Sequence, residues 1–212
     1  TVKTSARWLT ALALGVALLI TAPLVYAGGG DKDRGLAGKH RSECDDGRSD
    51  RNGRHGRGDL DVVGLTSDQT LICFEEDDPA DAENIGLISG LNGDDRLVGI
   101  DYRPATGDLY GLGNNGGVYV VDDDSAQATL RSRLNVALNG TSFGVDFNPT
   151  VDRLRIVSDT GQNLRDNVDA NGDTLTDTTL SYPGPPPMTG TGVTGAAYTN
   201  NDADPNTATT LY

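Results

Sequence analysis

The chain has 212 residues, with 31 acidic and 17 basic side chains and a net charge of −14 at pH 7. Ten of the basic residues lie before residue 59, so residues 59–212 carry a net charge of −18 and contain neither Lys nor His. A surface this acidic repels phosphate, which excludes nucleic acid as a partner of this part of the chain. The lack of His and Lys also argues against a base-activated nucleophile and against a zinc site.

The first 27 residues have the pattern of an export signal. Lys3 and Arg7 provide a positive start, residues 9–20 are apolar, Pro23 interrupts the run, and Ala27 is a small residue at the cleavage position. This order predicts a cleaved signal peptide and a secreted protein, extracellular or periplasmic. The alternative is an uncleaved membrane anchor, because the apolar stretch approaches the ~17 residues that span a bilayer. We expect the signal to contact the membrane only before cleavage.

If it is ordered, the signal segment is expected to be helical over residues 3–25 and to stay apart from the folded domain. Residues 28–58 follow it and have almost no large apolar side chains, which predicts a disordered, charged linker. Cys44 of the linker and Cys73 of the domain form a disulfide in an oxidising compartment, or else Cys73 is a buried thiol and Cys44 has no intramolecular partner. The sequence leaves both arrangements open.

The domain from residue 59 onward contains an internal repeat. Residues 99–104 read GIDYRP and residues 144–149 read GVDFNP, and each copy follows a Leu-Asn-Gly. The two copies are 45 positions apart, and upstream of them residues 71–75 match residues 118–122 at a distance of 47. A period of this length indicates a repeat architecture.

Each repeat predicts short strands joined by tight turns. Apolar residues alternate with smaller or polar ones over residues 98–102, and a Pro and a Gly supply the turn that follows. Residues 99–112 therefore predict a β-hairpin, and residues 144–157 predict the equivalent one. Weaker copies of the motif lie at residues 63–66 and 194–198.

These units predict an all-β domain over residues 59–212, a β-propeller-like array of four-stranded repeats. A unit of about 45 residues has the size of a propeller blade, so the domain holds three to four of them. A propeller closes with at least about four blades, and the chain ends within a predicted hairpin. We therefore expect the domain to be incomplete at its C-terminus. No apolar period of 3.6 residues is sustained, so helix should be nearly absent.

The long motifs at residues 138–149 (LNGTSFGVDFNP) and 152–165 (DRLRIVSDTGQNLR) are similar to those of the bacterial family called domain of unknown function 4394. The resemblance covers about residues 61–212 and implies secretion and a propeller-like β fold. It implies no reaction, ligand or catalytic residue. The sequence departs from the family in an acidic insertion at residues 166–177 and in the Pro-rich residues 183–187.

Carboxylates are the acid and base candidates that remain after residue 59. Asp101 and Asp146 hold matching positions in the two clear repeats. In a functional interpretation they line a central channel. In a structural interpretation each accepts backbone N–H bonds in the turn that follows it, as Asp does in Asx-turns. The repetition favours the structural role, because a catalytic pair needs two unlike environments.

Residues 167–173 (NVDANGD) contain the sharpest local metal-binding pattern. Oxygen-bearing side chains alternate before a Gly, as in the first half of an EF-hand loop. The pattern predicts a weak calcium site, and no other cofactor, at Asn167, Asp169, Asn171 and Asp173. It is a half match, because the first ligand is Asn and Thr178 stands where the bidentate Glu would fall. The alternative is an Asn-Gly hairpin turn in an acidic loop.

Three functions agree with these features. The leading expectation is a secreted, non-catalytic binding or adhesion module whose partner is an extracellular ligand or glycan. The second is an extracellular enzyme that hydrolyses a glycan or an ester through carboxylates, with calcium assisting. The third is a calcium-stabilised matrix protein. An enzyme should bring two carboxylates of unlike environment into one pocket, whereas a binding module needs only a shallow surface.

Overall fold

The computed structural model describes residues 19–21, 61–75, 78–202, 204 and 206–212. Every regular element in that part of the chain is a β-strand, which confirms the all-β prediction. The cause lies in the sequence, because short apolar runs of period two alternate with turns rich in Gly, Asp and Pro. Among these residues there is no helix with the length and apolar character needed to cross a membrane.

Twelve strands form three antiparallel sheets of four strands each. The first sheet contains β1 (Leu19–Thr21), β2 (Asp61–Leu65), β3 (Thr70–Glu75) and β4 (Glu83–Leu87). The second contains β5 (Leu97–Tyr102), β6 (Leu109–Gly113), β7 (Gly117–Val121) and β8 (Ala128–Arg133). The third contains β9 (Phe143–Asn148), β10 (Arg153–Ser158), β11 (Asn163–Asp166) and β12 (Thr174–Thr176). A two-stranded hairpin follows, made of β13 (Ser181–Tyr182) and β14 (Met188–Thr189).

The two predicted hairpins have the same register. Asp101 lies opposite Tyr110 in the β5–β6 pair, and Asp146 lies opposite Arg155 in the β9–β10 pair. The turn between β5 and β6 contains Gly107 at φ +76°, a left-handed conformation that Gly adopts without strain. The sequence motif therefore corresponds to one local structure in both copies.

The weaker copy at residues 194–198 takes up a similar arrangement. Ala197 and Tyr212 exchange two backbone hydrogen bonds, of 2.9 and 2.8 Å, and Tyr198 forms a bridge with Leu211. Residues 196–198 thus stand in the place that β5 and β9 hold in their sheets.

The copy assigned to residues 63–66 is wrong. Residues 63–65 belong to β2, the second strand of its sheet, so they correspond to β6 and not to β5. The motifs are easily confused because a Gly followed by an apolar residue occurs in both kinds of strand, as in Gly99-Ile100 of β5 and Gly111-Leu112 of β6.

The expectation of a helix over residues 3–25 that stays apart from the folded domain is also wrong for residues 19–21. These residues are extended and form β1, which pairs with residues 63–65 of β2. The pairing covers backbone groups along an edge of β2. The rest of the predicted signal and linker, residues 1–18 and 22–58, lies outside the described residues.

The second sheet is buried on both faces. Successive strand residues point to opposite faces, so Leu109 and Tyr119 pack toward the first sheet, while Tyr110 and Leu112 pack toward the third. Phe147 of the third sheet is fully buried in the second of these two cores. The three sheets are therefore stacked in chain order, with one apolar core in each gap.

Candidate functional site

Two buried aspartates, Asp101 of β5 and Asp146 of β9, form the candidate site. Each is only 6 % exposed, and a carboxylate is rarely buried this far without partners. The strands approach each other because the second and third sheets share the core that contains Tyr110 and Phe147. The two carboxyls are near enough for each to shift the pKa of the other.

Each aspartate also accepts a backbone hydrogen bond from the next unit of the chain. Oδ2 of Asp101 accepts from the N–H of Phe147 at 2.7 Å, and Oδ2 of Asp146 accepts from the N–H of Tyr198 at 3.0 Å. Because β9 is the edge strand of its sheet, its outer edge presents backbone groups that need partners. These bonds reach a neighbouring unit, and not the following turn that the structural interpretation expected.

A glycine two positions before each aspartate permits this approach. A Cβ on Gly99 would lie 2.5 Å from Cγ2 of Val145, and a Cβ on Gly144 would run into the backbone of Gly195 and Ala196. A larger residue would push the units apart and lengthen the bond from the carboxylate to the N–H group. We call this combination of a glycine, an aspartate and the N–H of the next unit the Gly-x-Asp latch.

The carboxyl pair retains a proton near neutral pH. Burial raises the pKa of Asp101 well above its usual range, and the charge of Asp146 raises it further. Burial raises the pKa of Asp146 to about 7. Two ionised carboxylates cannot donate to each other, and Oδ1 of Asp146 has no donor among the described residues. One shared proton supplies a donor and removes the repulsion between like charges.

Such a pair has the proton affinity of a general acid or base that works at neutral pH. Both carboxyls, however, accept backbone N–H bonds across an interface between units, and both side chains are buried. A substrate would reach them only if the units separated. The arrangement therefore serves cohesion between units more directly than chemistry.

Arg103, just after β5, joins the same two sheets through charge. Its buried guanidinium donates to both oxygens of Asp152, from Nε to Oδ1 at 2.8 Å and from Nη2 to Oδ2 at 2.5 Å. Nη2 also donates to Oδ2 of Asp169 at 2.6 Å. The guanidinium carbon lies 5.8 Å from the ring centre of Tyr110 and 6.0 Å from that of Phe147, within the range of cation–π attraction. We call this group the Arg103 clamp.

Asp169, one of the predicted calcium ligands, is held between two arginines. Arg103 donates to both of its carboxylate oxygens, and Arg131 of β8 donates to Oδ1 at 2.7 Å. The two guanidinium groups hold the pKa of Asp169 well below its usual range. The negative charge that would attract a cation is already compensated at this position.

The other residues of the predicted calcium site lie in the same loop between β11 and β12. Oδ1 of Asn167 accepts from the N–H of Asp169 at 3.4 Å, and Oδ1 of Asn171 accepts from the N–H of Arg133 at 2.9 Å. The backbone C=O of Asp173 accepts from the N–H of Asn167 at 3.4 Å and closes the loop. Across the described ranges no group of three His, Cys, Asp or Glu residues is placed to hold a metal ion. The calcium site stays a prediction.

Little in the sequence indicated the Arg103 clamp. Asp152 and Asp169 follow Arg103 by 49 and 66 positions, and neither distance equals the repeat length. The available signal was compositional, since only seven arginines stand among 25 acidic residues after residue 58. Within the described residues, five of those seven form ion pairs with Asp.

Cys73 of β3 is fully buried and disulfide-bonded. Of the two arrangements that the sequence left open, the structure therefore has the disulfide at Cys73. Cys44, the other cysteine of the chain, lies outside the described residues.

One known family has a sequence model that matches this chain. The model, described as Domain of unknown function (DUF4394), covers residues 70–212, about two thirds of the chain. The matched region contains β3 to β14, both Gly-x-Asp latches and the Arg103 clamp. No curated protein and no solved structure matches the chain. The chain belongs to the family described as Domain of unknown function (DUF4394).

Proposed function

We propose that this chain is a secreted, non-catalytic module, extracellular or periplasmic, which presents its folded surface for binding or adhesion. The observation that carries the proposal is the use of its buried charged groups. Asp101 and Asp146 bond the backbone of the next unit, and Arg103 bonds two carboxylates of the neighbouring sheet. Groups committed to cohesion between units are not available to a substrate. The signal pattern at residues 1–27 supports export.

The β-propeller-like arrangement is part of the same proposal, with β5, β9 and residues 196–198 as successive inner strands. Three four-stranded antiparallel sheets follow one another along the chain. The latches join the inner strands in chain order, from Asp101 to β9 and from Asp146 to Tyr198. Inner strands joined in this way suit blades arranged around a common axis.

The charge of the domain restricts the ligands that its surface suits. Residues 59–212 carry a net charge of −18, and most of their arginines are engaged in ion pairs. Anionic polymers are therefore repelled, whereas an uncharged glycan or a cationic peptide is not. An uncharged extracellular glycan is the ligand class that we favour.

A second function, hydrolysis of a glycan or an ester through carboxylates, is favoured by one observation. The pKa of Asp146 lies at about 7, raised by burial, which suits a group that gives or takes a proton at neutral pH. In this alternative the Asp101–Asp146 pair would be the acid and base, and the interface between the units would have to open for a substrate.

Binding and turnover distinguish the two functions. Wild type, Asp146→Asn and Asp108→Asn are incubated with insoluble neutral glycans, and retained protein and released reducing ends are both measured. Asp108 is an exposed aspartate near the β5–β6 turn and serves as the matched control. The module predicts that all three proteins are retained alike and release no sugar. Sugar release that disappears only in Asp146→Asn would establish the enzyme instead.

Export is tested separately, by expressing the full chain in a secreting bacterial host and determining the N-terminus of the protein outside the cytoplasm. Cleavage after Ala27 leaves Gly28 as the first residue, which is the expected result. Intact chain that sediments with membranes would show that the segment is an anchor.

A further inference from the structure

The inner edge of β2, which is the edge that faces away from β3, differs from the corresponding edges of β6 and β10. In those sheets, β6 and β10 each pair with a six-residue strand that precedes them directly in the chain, β5 or β9. β2 instead pairs with β1, which has three residues and comes from the segment predicted to be the export signal. The first sheet therefore takes its inner strand from outside the domain.

β2 and β6 are equivalent strands by sequence and by register. Residues 61–65 read DVVGL, and residues 108–112, 47 positions later, read DLYGL. Their pairing with the third strand of the sheet is the same, since Gly64 lies opposite Ile72 and Gly111 lies opposite Tyr119 at the same offset of 47. β1, which pairs with the other edge of β2, can therefore be compared position by position with β5, which pairs with the other edge of β6.

By this comparison β1 holds the places that Gly99, Ile100 and Asp101 hold in β5. At these places β1 reads Leu-Ile-Thr, whereas β5 reads Gly-Ile-Asp and β9 reads Gly-Val-Asp. β1 also pairs with only residues 63–65 of β2, while β5 pairs with all five residues of β6. β1 has the register of an inner strand without the glycine and aspartate of the latch.

We propose that the inner edge of β2 is an acceptor for an added strand, an extended peptide in which a glycine, an apolar residue and an aspartate follow one another. The proposal rests on the proposed secretion, because cleavage after residue 27 removes β1. A strand edge without a partner presents a row of N–H and C=O groups that an incoming strand pairs with. Pairing of the backbone supplies affinity, and the alternating side chains supply specificity.

The added strand should have the pattern Gly-Φ-Asp, where Φ is an apolar residue, because β5 and β9 have this pattern at the same positions. Gly99 leaves room for Val145 of the next inner strand, and Ile100 is the residue of β5 that corresponds to Val145. A glycine in the added strand leaves the same room beside β5. The aspartate takes the position that Asp101 and Asp146 hold in their sheets.

A folded second copy of the chain does not offer such a strand. The two strands with this pattern, β5 and β9, are buried within their own sheets and are latched to the next unit. The occupant that we propose is a separate extended peptide.

The test uses the full chain and a labelled heptapeptide with the sequence of residues 97–103, LVGIDYR. Peptide binding is followed by fluorescence anisotropy for wild type, Thr21→Pro and Thr21→Val. Thr21 lies opposite Val63, whose backbone groups face β1 because those of Gly64 and Thr66 face β3. Proline lacks the N–H that pairs at this position, whereas valine preserves it. We expect the peptide to bind Thr21→Pro about tenfold more tightly than wild type or Thr21→Val. A peptide with Leu in place of Gly should lose about tenfold in affinity.

Equal binding to all three proteins, or equal binding of the Gly and Leu peptides, would overturn the proposal. Dimerisation of Thr21→Pro that excludes the peptide would show that a second copy is the occupant, and would overturn it as well. If Thr21→Pro does not fold, the triple substitution Leu19→Gly, Ile20→Gly, Thr21→Gly replaces it, since glycines weaken a strand without blocking its backbone. Because this test uses the full chain, its failure is distinct from a failure of export.

Discussion

The two junctions that contain a Gly-x-Asp latch share that latch but differ in their apolar burial and in their buried charge. Between the second and third sheets, Asp101 bonds Phe147 across a continuous apolar core, and the Arg103 clamp adds buried charge. Between the third sheet and the last segment, Asp146 bonds Tyr198 in the same way, but residues 195–198 are exposed or half-buried. The constant element is the hydrogen bond, and the variable element is apolar burial.

This difference indicates a division of roles. A hydrogen bond to a charged acceptor contributes roughly 1.5–3 kcal/mol and requires a defined geometry, so the latch fixes which residues meet. A buried aromatic side chain contributes more and is less directional, so the core determines how firmly the sheets are held. The first junction should therefore be much more sensitive to truncation than the second.

The largest effect is expected from Phe147→Ala. Phe147 is fully buried and packs edge-on against Tyr110 at 5.2 Å, so its removal should lower the free energy of unfolding by about 3–5 kcal/mol. Tyr198→Ala at the second junction should cost about 1 kcal/mol, because Tyr198 is only half-buried. Urea unfolding followed by circular dichroism measures both. Equal losses for the two variants would contradict the expectation that apolar burial makes the first junction the stronger one.

Arg103→Met should have the next largest effect, about 2 kcal/mol. The substitution keeps apolar contact with Tyr110 and Phe147 but leaves the carboxylates of Asp152 and Asp169 without this guanidinium; both are partly exposed, which limits the cost. Arg155→Met is the matched control at the second junction, where Arg155 donates to the hydroxyl of Tyr198 at 3.2 Å and pairs with Asp177 at 2.6 Å. This substitution should cost about half as much. A larger loss in the control would contradict the assignment of the clamp to the stronger junction.

The proton of the carboxyl pair predicts a pH dependence of stability. Burial raises the pKa of Asp146 from 3.8 to about 7 in the folded protein, so the folded state binds more protons than the unfolded state between these values. Stability should therefore fall as pH rises from about 4 to 7, with a slope of at most about 1.4 kcal/mol per pH unit for one proton. Asp146→Asn should reduce that slope, and Asp108→Asn should leave it unchanged. A wild-type slope of the opposite sign, unaltered by Asp146→Asn, would show that the pair carries no such proton.

Much of the fold could be predicted from the sequence because the information is local. Alternation of apolar residues and the turn after Asp101 determine the hairpin, and the repeat transfers it to residues 144–157. The partners of the aspartates could not be predicted from local spacing, since Phe147 follows Asp101 by 46 positions and Tyr198 follows Asp146 by 52. The first of these is one more than the repeat offset of 45, so the repeat itself contained the signal.

The Arg103 clamp and the pairing of residues 19–21 had no such signal. An ion pair between distant turns depends on how two sheets pack, which neither periodicity nor composition determines. The EF-hand-like alternation at residues 167–173 pointed to a cation, but the structure places Arg103 and Arg131 on Asp169. A chain pattern shows which oxygens are near one another, but not which distant cationic side chain reaches them.

The smallest effect is expected from calcium. If residues 167–173 bind it in the weak range of roughly 10⁻⁴ to 10⁻³ M, calcium at a concentration equal to Kd stabilises the protein by about 0.4 kcal/mol. Asp173→Ala should abolish the resulting rise in Tm without affecting the clamp. Asp169→Ala should lower Tm even without calcium, because it removes a partner of Arg103 and Arg131. A rise that persists in Asp173→Ala would locate the cation elsewhere.

Native-state hydrogen exchange at the amides of Phe147 and Tyr198 tests the latches most directly. It is measured in wild type, Asp101→Ala and Asp146→Ala, since alanine removes the carboxyl acceptor. We expect Asp101→Ala to accelerate exchange selectively at Phe147, and Asp146→Ala to accelerate exchange selectively at Tyr198. Two results would contradict the Gly-x-Asp latch as the element that joins one unit to the next. In the first, neither variant changes exchange at either amide. In the second, each variant changes exchange at both amides equally.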